Sequence, residues 1–505
     1  MTRKIAVALA SLIALSICAC DGGSEGPADT GSPDGGSKDG GDPRWPACSK
    51  TTGTQTITFL HVSDIHGGYT PGADLISPVA RLRGFYEQTK AESPYTVFTN
   101  AGDDMEKGSI AELLSSGAST IEVTRAMRYD VRTIGNHDFA YSPDEALEYS
   151  VDPYSAVLST NTTYSGAGTF GALPFVAMEI GCVKVGFFGL TSRPWNELDK
   201  EYEGEYYPGF TTGYDFKAVV QKTVDAHRGE VDLLVMVSHL GYPDDMTMAS
   251  DIEGVDVILS GHTHLALDTA AKVNETTIIA CGESAEYAGR LDVKMDIARR
   301  KPVSVKYKLV ENTAATMQVD IRVQAEVDRV LATYAPDWDK AVAWASKDDL
   351  KSDISAITIR AARELLPADA AIIDPSTIWM DWTIGVITMQ DLPDTYKVER
   401  EKPGTPGFNS TYTAKISGEN LLKLKDGVPS GWSFAGPEEI KTGVTYTIAV
   451  QKRAGMHPDK YFPLGVTLEG LEFRYETWDL LNRYAAKRAV DCLYIDADTK
   501  RPDCK

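Results

Sequence analysis

From residue 55 onward the apolar positions switch repeatedly between short strand-like runs and the wider spacing of a helix. Residues 56–62 predict a strand, and 76–92 a helix with Val79, Leu82 and Phe85 on one face. Residues 95–101 predict the next strand, 120–129 a helix, and 131–134 a strand running into Gly135-Asn136-His137. A hairpin follows at 176–190 and a helix at 216–226. Two buried strands come next, 233–237 ending at His239 and 255–259 ending at Gly261-His262, and strands at 277–280 and 291–297 close the region. Such alternation indicates an α/β core with helices outside. In such sheets functional loops gather at the carboxyl ends of the strands. Residues 316–340 read as a polar helical connector, and an α+β region begins near 352 with a helix at 354–366 and a strand at 370–373. No internal repeat with a period of roughly 20–50 residues is present.

Composition adds bounds. At 505 residues the chain exceeds one ordinary core, so two domains are expected. A hydrophobic content of 43% suits a folded protein. The net charge of −22 argues against a nucleic-acid partner, which would need clustered Lys and Arg. An anionic substrate must therefore be drawn in locally, by metal ions or a few arginines.

The first twenty residues form a targeting segment: Arg3 and Lys4 precede an apolar stretch, 5–17, too short to span a bilayer. Its end, Ile17-Cys18-Ala19-Cys20, resembles the lipobox of bacterial lipoproteins, which would make Cys20 the lipidated residue; a plain secretory signal is the alternative. Gly, Ser, Asp and Pro dominate residues 21–46, so 21–50 is expected to be a disordered tether. This leader predicts a bacterial cell-envelope protein, held to a membrane by its lipid on the periplasmic face or the cell surface. Five cysteines follow. Cys182 and Cys281 lie in strand-like apolar surroundings and are expected to be buried thiols. Cys492 and Cys504 flank a short polar segment and can pair in an oxidising compartment.

The candidate chemistry lies at the strand ends. Five of the eight histidines fall in Asp64-Ile65-His66, Gly135-Asn136-His137-Asp138, His239 and Gly261-His262-Thr263-His264, with Gly102-Asp103 between the first two. Asp64 and His66, two apart, would share one face of a strand and hold one ion. Asp103 can bridge two ions, Asn136 offers a carbonyl oxygen, His239 and His262 add nitrogens to the second ion, and His264 returns to the first. This mixed donor set suits two divalent ions of Zn, Mn or Fe. Such a pair activates water and orients a phosphoryl group, predicting in-line attack of a metal-bound hydroxide on phosphorus. A cationic His137 would hydrogen-bond a phosphoryl oxygen or protonate the leaving oxygen.

These motifs in this order resemble the calcineurin-like metallophosphoesterase superfamily, and most of all its secreted bacterial 5′-nucleotidase branch, over residues 55 to about 300. The resemblance implies a four-layer α/β/β/α sandwich over 51–315, a helical connector at 316–350 and a smaller α+β C-terminal domain over 351–505. It implies that Asp64, His66, Asp103 and His264 hold one metal and Asp103, Asn136, His239 and His262 the other, with His137 and Asp138 catalytic. In the family a carboxylate three positions after the histidine orients it. Ala140 stands there, which predicts a loosely held His137 and slow turnover of poor leaving groups unless Asp138 substitutes. The substrate-gripping arginine of the family is replaced by Trp379 and the preceding Asn by Asp374, with a polar insertion at about 397–405. Candidates for the two rings that sandwich a nucleobase are Phe434 (or Trp432) and Tyr461 or Phe462. The implied function is an envelope-anchored binuclear hydrolase releasing phosphate from nucleotides or similar small phosphoesters. Alternatives are a phosphodiesterase on cyclic nucleotides, sugar nucleotides or phospholipid-like diesters, and a non-catalytic surface binding protein that retains its metals.

Overall fold

The structure, a computed structural model, describes residues 44–192, 209–398, 400 and 405–503. The leader, Cys20, most of the tether and Cys504 lie outside the described residues.

Two six-stranded sheets build the first domain. Their strands in chain order are β1 (Thr54–Val62), β2 (Thr96–Asn100), β3 (Val131–Thr133), β4 (Ala156–Leu158), β5 (Val176–Ile180), β6 (Val183–Thr191), β7 (Leu233–His239), β8 (Val257–Ser260), β9 (Ala271–Val273), β10 (Thr276–Ala280), β11 (Tyr287–Asp296) and β12 (Lys301–Glu311). One sheet runs β12-β11-β1-β2-β3-β4 and the other β9-β10-β8-β7-β6-β5. The central strands β1 to β4 are mutually parallel, as are β6, β7, β8 and β10.

Side-chain alternation explains the layering. Ile57 and Phe59 of β1 face Phe187, Val235 and Leu259 across the space between the sheets. Leu60 and Val62, on the opposite face, pack under α1 (Pro78–Glu92) and α4 (Ile321–Tyr334). In the second sheet Leu234, Met236 and Ile258 point outward to α2 (Phe216–His227) and α3 (Tyr242–Asp251). The result is the expected α/β/β/α order of layers.

Three features depart from the sequence reading. The expected connector contributes α4, whose Val323, Val327, Val330 and Leu331 are buried in the first domain's outer core. The edge strand β12 escaped notice because it is mostly exposed, with Lys301, Lys306 and Lys308 on it and its apolar Val303 and Val305 open to solvent as well. Cys182 is not a buried thiol: it sits in the β5–β6 turn and forms a disulfide with Cys48. Apolar neighbours at a hairpin turn do not imply burial of the turn itself. Cys281 is the buried free thiol expected, and Cys492 is disulfide-bonded.

The second domain holds a five-stranded sheet in the order Ser433–Ala435, Ala370–Ile373, Thr445–Gln451, Thr411–Ser417, Glu469–Tyr475. Helices Lys351–Leu365 and Thr477–Val490 cover one face. Met389 and Trp478 pack against both this core and the first domain's outer core.

Candidate metal centre

The register of the sheets sets the site. Val62 pairs with Asn100 and Asn100 with Arg132, so β1, β2 and β3 end together, while Ser238 of β7 pairs with Ser260 of β8. Every predicted ligand lies on or just beyond one of these ends. Asp64 and His66 are not on a strand, however, and no shared strand face aims them. They lie past β1 with φ of 54° and 50°, and Asp103, His262 and His264 are left-handed as well, at 57°, 72° and 56°. Non-glycine residues seldom adopt this region, and functional sites are where they do. The tight coil is pinned by Asp64 N–H to Gly102 O (2.9 Å) and His66 N–H to Asp103 O (2.9 Å). The loops touch through Gly135, where a Cβ would stand 2.1 Å from Asp103 Oδ1.

Three overlapping groups of donors result. Asp64, His66 and His264 form one, Asp103, His239 and His262 another, and His66, Asp103 and His137 a third that links them, with ligand atoms in each within 4.8 Å of one another. Asp103 Oδ2 lies between the first two, 2.9 Å from His239 Nε2 and 3.9 Å from His66 Nε2. His137 Nε2 is 4.0 Å from the same oxygen.

The groups present fit a pair of cations. His66 Nδ1 faces Met105 O (3.0 Å), which makes it the donor, and the Glu283 carboxylate stands 3.0 Å from His264 Nδ1. The Nε2 atoms of the two rings stand 3.1 Å apart, close enough to share one cation. His239 donates from Nδ1 to Ala101 O (2.6 Å), which leaves Nε2 for Asp103. Burial opposes charge on His239, but the Asp103 carboxylate outweighs it and raises the ring to about 9. A proton thus sits where a metal ion would displace it. Burial, then the Lys107 ammonium, holds His66 well below its ordinary value, and burial lowers His262 to about 3; both are in the neutral form that binds metal. Burial also works against Asp103, yet His239, His137 and His66 keep its carboxyl well below the usual range. Asn136 Oδ1 accepts from Ser192 Oγ (2.8 Å), while its buried Nδ2 has no hydrogen-bond partner among the described residues. The amide can therefore turn its oxygen inward with its nitrogen on Ser192.

Asp138 does not reach for His137. Its oxygens accept the backbone N–H groups of Asp103 (3.0 Å), Asp104 (2.9 Å) and Gly135 (2.8 Å), fastening two ligand loops together. The carboxylate on His137 is Glu106, with Oε2 2.5 Å from Nδ1. His137 is therefore held, contrary to the expectation drawn from Ala140. Sequence reasoning missed Glu106, Lys107 and Glu283. The one signal available was two adjacent charges, Glu106-Lys107, between Gly102 and Gly108 in a segment that is otherwise buried.

His61 is no ligand: it bridges the sheets through Thr99 Oγ1 (3.0 Å) and Ser260 O (3.3 Å). His227 stacks on Phe175, rings 3.8 Å apart, at the end of α2.

The aromatic candidates belong to the second domain's packing. Phe462 is buried in its core, and the Trp432 and Tyr461 rings pack on each other at 6.1 Å and 31°. Phe434 lines a cavity of about 700 Å³ with Arg360 and Arg363. Trp379, in contrast, is 45% exposed, with the Lys397 ammonium 4.8 Å from its ring centre. Burial opposes charge on Glu283, but His264 and, less strongly, Lys397 hold its carboxyl below the ordinary value.

Residues 57–266 match the calcineurin-like phosphoesterase family. The chain is similar to the trifunctional nucleotide phosphoesterase protein YfkN of Bacillus subtilis, 22% identical over 457 residues, 80% of this chain and 30% of that one. It is similar to the 5′-nucleotidase of Mus musculus, 27% identical over 250 residues, 45% of this chain and 40% of that one. Its fold matches the 5′-nucleotidase precursor from Thermus thermophilus with a TM-score of 0.66, over 86% of this chain and 96% of that one at 18% identity. The chain spans less than half the length of the two curated relatives.

Proposed function

The chain carries a calcineurin-like phosphoesterase domain over residues 57–266, and from that premise we propose a binuclear metal-dependent phosphoester hydrolase of the 5′-nucleotidase type. It releases phosphate from nucleotides or similar small phosphoesters, and Cys20 anchors it at the bacterial cell envelope. The observation that carries this reading is the meeting of two donor clusters at Asp103 Oδ2.

Asp64, His66, Asp103 and His264 would hold one ion, and Asp103, Asn136, His239 and His262 the other. Bound there, two divalent ions lower the pKa of water and neutralise phosphoryl charge. The chain's own groups do the rest. Asp138 keeps the 103 and 135 loops in register. His137 presents Nε2 on the Asp103 side of the centre. Burial, then the Lys107 ammonium, holds the ring well below its ordinary value. With Nδ1–H on Glu106 it therefore donates to a phosphoryl or leaving-group oxygen only in the cationic form that a bound phosphoryl anion would favour. Lys107, 7% exposed and close enough to act on His66, His137 and His262, adds positive charge that the acidic surface does not supply.

A second reading, hydrolysis of phosphodiesters, draws on Trp379 and Lys397 in place of a substrate-gripping arginine, because a diester carries less charge to grip. The test is purified protein loaded with Mn or Zn and assayed on nucleoside monophosphates, cyclic and sugar nucleotides, and an aryl phosphate. Metal-dependent release of phosphate from monoesters is expected. Faster turnover of diesters selects the second reading, and no hydrolysis of any substrate defeats both.

A further inference from the structure

A histidine that donates to substrate works best with its tautomer and ring plane fixed, and a carboxylate on its far nitrogen does both. Three residues after His137, where a helical turn could bring such a group, stands Ala140, whose methyl is buried in an apolar cluster with Met105, Phe139 and Tyr141. A carboxylate arrives from another direction. Beyond Asp103 the chain enters two successive left-handed residues, Glu106 (φ 70°) and Lys107 (φ 75°). This path turns the Glu106 side chain inward, where it is 1% exposed and Oε2 meets His137 Nδ1 at 2.5 Å.

Glu106 is itself contacted at two points. Its N–H donates to Glu112 Oε1 (2.5 Å), and the same Glu112 oxygen accepts from Tyr141 OH (2.7 Å). The guanidinium of Arg400, contributed by the second domain, lies 3.5 Å from Glu106 Oε1 and 4.8 Å from the centre of the Tyr141 ring. A second acid, Glu476, lies 3.8 Å from the other arm of Arg400. A carboxylate 1% exposed, with His137 on one oxygen and a cation beside the other, is restricted in the orientations open to it.

We infer that Glu106, supplied by the loop after Asp103, is the positioning residue of His137, and that Arg400 restrains its orientation. Its kinetic consequence rests on the phosphoesterase reading above. The bland alternative is a buried pair that only stabilises the loop.

The two differ in what a Glu106→Gln variant does. That variant keeps the shape and a hydrogen bond but loses the charge. If Glu106 positions the donor, kcat falls by about 10–100-fold on a nucleoside or alkyl monoester, whose leaving oxygen needs a proton. The fall on 4-nitrophenyl phosphate is less than a few-fold, with KM little changed and two metal ions per chain retained. Equal losses on the two substrates, or no loss on either, overturn the inference. A wild-type protein inactive on both would defeat the phosphoesterase reading instead. In that case the metal-free full chain, labelled with 15N-histidine, still decides the geometry. A strongly downfield His137 Nδ1–H proton, lost in Glu106→Gln, supports the pair, and its absence from the wild type overturns it.

Discussion

Asp103 concentrates the site's demands in one side chain. Oδ1 accepts the His137 N–H at 2.7 Å while Oδ2 faces His239, His66 and His137. Asp103→Ala is expected to bind fewer than two ions per chain by elemental analysis and to lose at least a thousand-fold in metal-dependent hydrolysis. Two retained ions would contradict a bridging role. At this scale the candidate ligands could be read from the sequence because each is part of a short motif at a strand end. Glu106, Lys107 and Glu283 could not, because their contacts depend on torsions that spacing does not encode, and adjacent opposite charges ordinarily read as surface. Asp394 gives a pH prediction. Burial, joined by the neighbouring Asp391, raises its carboxyl from 3.8 to about 7. Between those values the folded chain holds a proton that the unfolded chain has lost, so this group's stabilisation is complete at low pH and disappears as pH rises through 7. With one unit equivalent to about 1.4 kcal/mol, Asp394→Asn is expected to flatten the pH dependence of unfolding between pH 4 and pH 8 by on the order of a few kcal/mol. Identical urea-unfolding profiles for variant and wild type across that range would refute it.

Among elements, the strands that are apolar on both faces were plain from composition, since β7 and β8 are buried end to end. The short β4, the lysine-bearing edge strand β12 and the half-exposed α4 lack that signature, and only partners distant in sequence make them regular. The Cys48–Cys182 bond is a further long-range tie, joining residues 134 apart and binding the chain's entry to the β5–β6 turn. Cys182→Ser is expected to lower unfolding free energy by about 2–5 kcal/mol. Metal content and kcat stay unchanged, because the turn lies at the opposite end of β6 from the strand ends that carry the ligands. A variant as stable as the wild type would show that the bond restrains little.

For the molecule as a whole, the second domain does more than follow the first. Gln390 sends its oxygen to Ile110 N–H (2.9 Å) and its nitrogen to Gly108 O (3.3 Å), clasping the loop that carries Asp103, Glu106 and Lys107. Gln390→Ala is expected to speed amide hydrogen exchange over residues 103–110 and weaken metal binding several-fold. Unchanged exchange there would show that the loop stands unaided. The backbone around the centre has a wider effect. Five left-handed ligand residues each cost about 1 kcal/mol or more, and in the bare protein nothing bound among them offsets this. Cations held there would offset that cost. The stretches near 64 and 262 are therefore expected to exchange amide hydrogens more slowly in the metal-loaded protein than in the bare one, and equal exchange in the two would contradict this.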